Sequence, residues 1–383
     1  MALLRPLPRL MTAMIMIRVV RVRTHEAFLH TLPVKVQPRR HANQQCRRFA
    51  SAFSEQDEQY LEIAVQHARN GLGHTFPNPA VGCVIVQGSQ VIGAGFHPKA
   101  GLPHAEVFAL LQAAGHLEDG LAAAKAVIDG SNQQLVEHVT QLTKQYLTDG
   151  GPSELLSGTF VNQDPATAYV TLEPCCHHGQ TPPCAASLVM AGVTKVVVGY
   201  RDPNPRVNGG GYQVLEDAGI QVVESFGPSR DSCAALVENF VKRITLPREA
   251  KDYSNINGAK RRALRALGGR QKTDKTLAVH IWQGPGIAED GGDAIEHAVK
   301  ELPMDASWLE QVDTSLWKHE LLLLRLNNAV SKKKGAKILG ERIAEILDAH
   351  IAQVMGHTVL LYRPSIPPVL DLEKLGKKTN DEE

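Results

Sequence analysis

Residues 168–175 read Ala168-Tyr169-Val170-Thr171-Leu172-Glu173-Pro174-Cys175, and residues 183–191 read Pro183-Cys184-Ala185-Ala186-Ser187-Leu188-Val189-Met190-Ala191. The first stretch predicts a strand, Ala168–Leu172, whose end delivers the Cys175 thiol. The second predicts a helix with Cys184 near its start. Lys195–Tyr200 then reads as a strand, Gly211–Ala218 as a helix and Ile220–Val223 as a final strand. Strands alternating with helices predict an α/β domain with a mixed or parallel sheet covered on both faces.

The segments on the N-terminal side complete that sheet. Ser54-Glu55-Gln56-Asp57 caps a helix in which Tyr60, Leu61, Ala64, Val65 and Ala68 recur at helical spacing, and Asn70-Gly71 ends it. Val81–Val86 and Val91–Gly95 read as two strands joined by Gly88-Ser89, a hairpin signal. His104–Ala114 reads as a helix with His104 and Glu106 in its first turn. Two helix starts and one strand end thereby bring His104, Cys184 and Cys175 to the carboxyl edge of the sheet, where open α/β sheets bind ligands.

Those three residue types carry a definite chemistry. One imidazole and two thiolates can hold Zn²⁺ tetrahedrally and leave a fourth position for water. The partial positive charge of a helix N-terminus favours thiolate over thiol. Glu106 follows the His by two residues and is no ligand; a carboxylate there can shuttle protons between water and an amine leaving group. Taken singly, His104 could be an ordinary helix-start residue, and Cys175 or Cys184 a small buried hydrophobe. Three spaced elements agreeing together predict a zinc site. Cys176 adjoins a ligand, but a strand end presents one of two adjacent side chains. His177 and His178 read as pocket contacts.

At 383 residues the chain predicts two domains plus tails. A net charge of +1 with 21% charged residues gives the whole molecule no polyanion-binding signature. Six cysteines, three of them in the zinc reading, do not make a disulfide scaffold and fit a reducing compartment. No apolar run approaches the length of a bilayer span, so a soluble chain with no membrane partner is expected.

The first 53 residues read as an organellar targeting peptide. Arg5, Arg9, Arg18, Arg21, Arg23, Arg39, Arg40, Arg47 and Arg48 are spread through them, and Glu26 is the sole carboxylate before Glu55. A disordered basic arm is the plainer alternative. Ala50-Ser51-Ala52-Phe53 resembles the cleavage-site motif of plastid-targeted proteins in algae with complex plastids. Plastid is the expected destination, with mitochondrion as the alternative. Residues 54–245 read as the zinc domain, carrying an insertion over about 116–166. Leu135, Val136, Val139, Leu142 and Tyr146 suggest one amphipathic helix in that insertion, expected to project from the surface. Residues 246–258 read as a linker, 259–368 as a second, small α/β domain and 369–383 as a tail. Its elements are a basic helix (Ala259–Leu267), a strand (Leu277–Trp282), a Gly-rich turn, a helix (Trp308–Trp317), a strand (Leu321–Leu326), a helix (Gly335–Leu347) and a hairpin (His350–Met355 and Thr358–Tyr362) on Gly356-His357.

Several motifs match one family together: Pro77-Asn78-Pro79; Val81-Gly82-Cys83-Val84-Ile85-Val86; His97-Pro98-Lys99-Ala100-Gly101; His104-Ala105-Glu106-Val107; residues 171–179; Thr181-Pro182-Pro183-Cys184; and Asp202-Pro203-Asn204-Pro205. Roughly residues 54–243, apart from the insertion, resemble the diaminohydroxyphosphoribosylaminopyrimidine deaminases of riboflavin biosynthesis. The resemblance implies a three-layer α/β/α cytidine-deaminase-like domain with a mixed central sheet. It implies Zn²⁺ on His104, Cys175 and Cys184, Glu106 as the catalytic proton shuttle, and substrate contacts from Asn78, His97, His177, Asp202 and Asn204. The implied reaction is hydrolytic deamination of 2,5-diamino-6-(5-phosphoribosylamino)pyrimidin-4(3H)-one to the 5-amino-uracil. Gln180 stands where the family usually has a Lys or Arg that would pair with the substrate phosphate; Gln donates a hydrogen bond without charge, and Arg201, Arg206 or Lys99 could compensate. The NADPH-dependent reductase domain that commonly follows in bacteria and plants is not recognisable after Phe240-Val241-Lys242-Arg243.

Residues 259–368 instead resemble the CRM domain, an RNA-binding module, through residues 260–267, His319-Glu320-Leu321 and residues 353–364. That family's GxxG loop is present as Gln283-Gly284-Pro285-Gly286, with a proline that removes an amide donor. The implied RNA contacts are Lys260, Arg261, Arg262 and Arg265 on one helix, the loop glycines Gly284 and Gly286, and Lys332, Lys333 and Lys334, which with Lys337 make a second cluster. Such clusters contact phosphates without reading sequence; a solvated charged face is the plainer reading. The expected partners are a small phosphoribosyl pyrimidine and, through the second domain, a structured RNA; a homodimer is a further expectation that no residue pattern fixes.

Overall fold

The computed structural model describes residues 53–148, 154–161, 163–204, 207, 209–247, 251–254, 256–287, 292–327, 329–330 and 333–376. The leader, Arg206, Lys332 and the terminal acids fall outside them. Ser54 caps helix α1 (Glu55–Ala68) in a capping box: its Oγ accepts from the Asp57 N–H at 3.1 Å, and Asp57 Oδ2 accepts from the Ser54 N–H at 3.0 Å. Packing begins one residue earlier than the sequence suggests, because Phe53 is buried edge-on against Phe226, 5.3 Å between centroids. Strands β1 (Gly82–Gln87) and β2 (Gln90–Phe96) form the expected hairpin, with Gly88 at φ +61. Helix α2 (Ala105–Ala113) follows. The insertion supplies α3 (Gly120–Asp129) and α4 (Gln133–Thr148). Then come β3 (Ala166–Val170), α5 (Cys184–Ala191), β4 (Lys195–Val198), α6 (Gly210–Asp217), β5 (Gln221–Glu224), α7 (Pro228–Leu236) and α8 (Glu238–Thr245).

The first sheet has the order β2-β1-β3-β4-β5. β1 is antiparallel to both β2 and β3, while β3, β4 and β5 are parallel, so the sheet is mixed. Strand alternation sorts its side chains into two cores. Cys83, Ile85, Ala168, Val170, Val196 and Val198 face α2 and α5. Val84, Val86, Tyr169, Val197 and Val223 face α1 and α7. These are the three layers expected.

The insertion corrects the expectation of a surface projection. It forms two helices rather than one, and Val139, Leu142, Tyr146, Leu156 and Phe160 are buried in the same core as α2 and α5. Burying each such side chain is worth on the order of 1.5–3 kcal/mol. A doubling of loop length costs only about 0.6 kcal/mol, so closing the excursion is a small term against that gain.

A second four-stranded sheet follows in the order β6-β7-β9-β8. Helix α9 (Gly258–Thr273), β6 (Ala278–Ile281), α10 (Gly292–Glu301), α11 (Ala306–His319), β7 (Leu321–Arg325), α12 (Lys333–Ile346), β8 (His350–Met355) and β9 (Thr358–Tyr362) build it, and α13 (Leu372–Gly376) closes the described chain. Leu322, Leu324, Val359 and Leu361 pack on α10, α11 and α12; Leu321, Leu323, Leu360 and Tyr362 pack toward Leu264 of α9. Helix α10 is absent from the sequence expectation, although Ile295, Val299 and Leu302 mark its buried stripe.

The linker and tail segments are packed against the second domain. The expected linker is strapped down: Leu246 and Ile256 are buried, and the Tyr253 hydroxyl donates to the Asp348 carbonyl at 2.6 Å. The expected tail is tied in from its first residue. Buried Glu320 accepts the Val369 and Leu370 amides at 2.7 and 2.8 Å, and Lys260 pairs with Glu373 at 2.5 Å.

Candidate active site

Helix α2 lies directly on β2 because Gly93 and Gly95 have no side chains there; a Cβ on either would strike the carbonyl of Ala109 or of Ala105. That contact sets the place of the helix start. His104 is the N-cap in extended conformation (φ −79, ψ 174), and its carbonyl accepts the Val107 amide at 3.1 Å. Glu106 sits in the first turn and is buried. Cys184 opens α5 immediately after Pro183, and Cys175 lies on the loop that leaves β3. The Ala185 amide donates to the Cys175 carbonyl at 3.1 Å and the Cys184 amide to the Cys175 sulfur at 3.4 Å.

The donor atoms of His104, Cys175 and Cys184 all lie within 4.8 Å of one another. His104 Nδ1 is 3.3 Å from Cys184 Sγ and 3.7 Å from Cys175 Sγ. Tetrahedral zinc with ordinary Zn–N and Zn–S bonds puts N and S about 3.6 Å apart. The set fits that ion without movement of any element. Glu106 fits as well: its Oε2 is buried and, among the described residues, has no hydrogen-bond partner. Burial pushes this carboxyl above the usual range, His104 opposes the rise and Cys175 adds to it.

His97 backs the site, its ring edge-on to His104 with 4.9 Å between centroids. A carbonyl can only accept, so His97 Nδ1 carries the proton donated to Pro103 O at 3.3 Å. Nε2 then accepts from Asn78 Nδ2, also at 3.3 Å. Burial, reinforced by His104, lowers the His97 pKa to about 3, so the ring is neutral.

These residues form one wall of a cleft of about 340 Å³. Asn78, His97, His177, Gln180, Asp202 and Asn204 all line it together with His104, Glu106 and Cys175. Cys184 is fully buried behind them. Asp202 Oδ1 accepts the Asn204 amide at 2.9 Å and so shapes its own loop. Among the described residues no Lys or Arg lines the cleft. Lys99 is not part of it, and Arg201 stacks on Tyr212, 5.3 Å to the ring centroid.

Two contributors were not identified as site residues from the sequence. Glu173, quoted only inside a motif, is buried and accepts the Gly209, Gly211 and Asp202 amides at 2.8, 3.1 and 3.3 Å, which ties the far wall to the Cys175 loop. An acid directly before Pro174-Cys175 was the available signal. Tyr146 of the insertion is fully buried and shares a hydrogen bond of 2.8 Å with Ser187 one turn along α5 from Cys184; nothing in its local sequence announces that contact.

Among the described residues expected to meet RNA, surroundings differ. Lys260 is paired with Glu373, Arg265 Nε donates to the Ala352 carbonyl at 3.1 Å, and Arg261 is half-buried. Arg262, Lys333 and Lys334 are exposed. Gly284 packs on the Trp282 indole, whose Nε1 donates to Pro285 O at 3.1 Å, and Gly286 is exposed.

The family described as cytidine and deoxycytidylate deaminase zinc-binding region matches residues 54–200. The chloroplastic riboflavin biosynthesis protein PYRD of Zea mays is 40% identical over 188 residues, 49% of this chain and 36% of that protein. Riboflavin biosynthesis protein RibD of Escherichia coli is 39% identical over 189 residues, 49% of this chain and 38% of that protein. This chain therefore spans less than two-fifths of the length of these relatives. A solved structure of RibD from Acinetobacter baumannii is 36% identical, covering 59% of this chain and 54% of that one, with a TM-score of 0.36.

Proposed function

With residues 54–200 forming a cytidine-deaminase-like zinc-binding domain, we propose that this chain hydrolyses the exocyclic amine of a phosphoribosyl diaminopyrimidine in riboflavin biosynthesis. The observation that carries the reading is one buried carboxyl, Glu106, beside three converging zinc donors in a cleft sized for a small heterocycle. The identity shared with riboflavin biosynthesis proteins over the same residues supports that choice of substrate. A zinc ion on His104, Cys175 and Cys184 would supply the Lewis acidity that makes water nucleophilic at neutral pH. Glu106 accepts the proton of the attacking water and returns it to the departing amine; the carbon–nitrogen bond breaks, ammonia leaves and a ring carbonyl remains. Asn78, His97, His177, Asp202 and Asn204 orient the ring, and Gln180 faces the phosphate with a neutral amide.

Substrate choice is the test. Offered the diaminopyrimidinone ribosyl phosphate, deoxycytidylate and a cytosine-containing RNA in parallel, the chain should release ammonia from the first alone. Release from RNA would favour a second reading, in which exposed Arg262, Lys333 and Lys334 hold a transcript for the zinc site or a structured RNA for its own sake. Plastid is the proposed destination, supported by the Arg-rich leader and by chloroplastic relatives in Zea mays and Arabidopsis thaliana. A homodimer is a further proposal, and sizing the purified chain decides it. Among the described residues no helix is long and apolar enough to cross a membrane.

A further inference from the structure

The segment between α1 and β1, residues 72–80, carries Asn78 and Pro79 into the cleft. It is held from outside the zinc domain. Phe76 is buried in the core of the second domain, together with Trp308, Leu309 and Val312 of α11. The Gly73 amide donates to Glu310 Oε2, also on α11, at 2.7 Å. Arg243 completes the grip: one guanidinium nitrogen donates to Asp313 of α11 at 2.7 Å and the other to the Pro77 carbonyl at 2.8 Å, while the guanidinium carbon lies 4.6 Å from the centroid of the Phe76 ring. Asp313 is fully buried and is also bound by Arg363 at 2.8 Å, so its position is fixed by the second domain's own interior.

From these contacts we infer that the second domain is a positioning element for the deaminase cleft, with Arg243 as the residue that transmits it. The chain of contact runs from Asp313 through Arg243 to Pro77, and from the next residue, Asn78, to His97 beside the zinc donor His104. A guanidinium can hold two acceptors at once in a fixed fork, which an ammonium cannot. Binding energy released at Asn78 then depends on whether the segment is already in place. This inference rests on the deaminase reading for its kinetic part and on geometry alone for its structural part.

The experiment uses the full chain with Arg243→Ala, Arg243→Lys and Glu310→Ala, each checked for folding and for zinc per chain. Arg243→Ala should raise KM for the diaminopyrimidinone ribosyl phosphate roughly tenfold, with kcat within about twofold, as expected when ground-state and transition-state binding fall together. Arg243→Lys can satisfy Asp313 or Pro77 but not both; it should recover thermal stability and leave KM raised. A folded, zinc-loaded Arg243→Ala chain with native KM overturns the inference. Where Arg243→Ala does not fold, Glu310→Ala decides, since it removes only the surface partner of Gly73: a raised KM supports the inference and a native KM overturns it. Should the unaltered chain not turn over that substrate, the deaminase reading fails by itself. Hydrogen exchange at the His74 and Asn78 amides then reads the coupling: faster exchange in Glu310→Ala supports it, and unchanged exchange overturns it.

Discussion

At the scale of single residues, the site is a set of side chains whose ordinary partners are missing and whose geometry supplies others. Three donors within 4.8 Å, a buried sulfur, a half-buried one and a half-buried imidazole, have no apolar packing reason to meet. Cys184→Ala should reduce bound zinc from one per chain to a small fraction, read by metal analysis after dialysis, while α5 keeps its place through Leu188 and Ala191. Gln180 lies beside Gly101 on the cleft and carries no charge. Gln180→Arg should lower KM for the phosphorylated substrate by about tenfold and leave its unphosphorylated riboside unchanged, the gain of one charge-assisted contact. Asp57 behaves differently, as a structural acid. Burial alone would raise its pKa, but Lys195 at 2.7 Å, Ser54 and the Tyr169 hydroxyl at 3.0 Å bind the carboxylate and lower it on balance. The stability it contributes is present above the unfolded value and disappears as the pH falls through the lower folded one. Asp57→Asn should therefore cost about 2 kcal/mol near neutrality and flatten the loss of stability on acidification, measured by urea titration across that range.

At the scale of elements, small residues decide where helices lie. Gly93 and Gly95 let α2 sit on β2, and a Cβ at Gly93 would meet the Ala109 carbonyl. The insertion helix α4 works from the other side. Tyr146→Phe should cost about 1 kcal/mol in urea unfolding through the lost bond to Ser187, and Tyr146→Ala about 3–5 kcal/mol through the cavity as well. The zinc domain's elements were legible because period-two and period-3.6 patterns, an N-cap and a Gly-Ser turn each announced themselves locally. Val139, Leu142 and Tyr146 announced a helix too, but periodicity does not say what a stripe packs against, and the insertion was read as a projection for that reason. Helix α10 was hidden behind a glycine-rich turn, with only Ile295 and Val299 as large apolar residues inside it and Leu302 just beyond its end. Glu320 was read only as part of a motif, yet it organises the 365–370 segment through four amide and hydroxyl bonds from residues 45–50 positions away, a pairing that no local pattern encodes.

At the scale of the whole molecule, two three-layer units meet through the 72–80 segment, through Arg243 and through Asn239, whose amide donates to the Thr314 hydroxyl at 2.9 Å. His104, Cys175, Cys184 and Glu106 were legible as a set because each sits at a helix start or just past a strand end, whereas Asn78, His97, Asp202 and Asn204 came from the family resemblance alone. The Asp313 contacts with Arg243 and Arg363 span 70 and 50 positions and emerge only in the folded chain. Asp313→Asn should cost about 3–5 kcal/mol, the usual loss when buried cations are left without their anion, and calorimetry would register it as a lowered transition for the second unit. The proposed reaction has a direct readout. Ammonia release from the diaminopyrimidinone ribosyl phosphate should be measured for the full chain and for Glu106→Gln, with zinc per chain determined in both. Turnover in the unaltered chain, equal zinc in the two proteins and a rate at least about 10²-fold lower in Glu106→Gln are expected. Undiminished release from a zinc-loaded Glu106→Gln chain, or none from the zinc-loaded native chain, would contradict the deaminase reading.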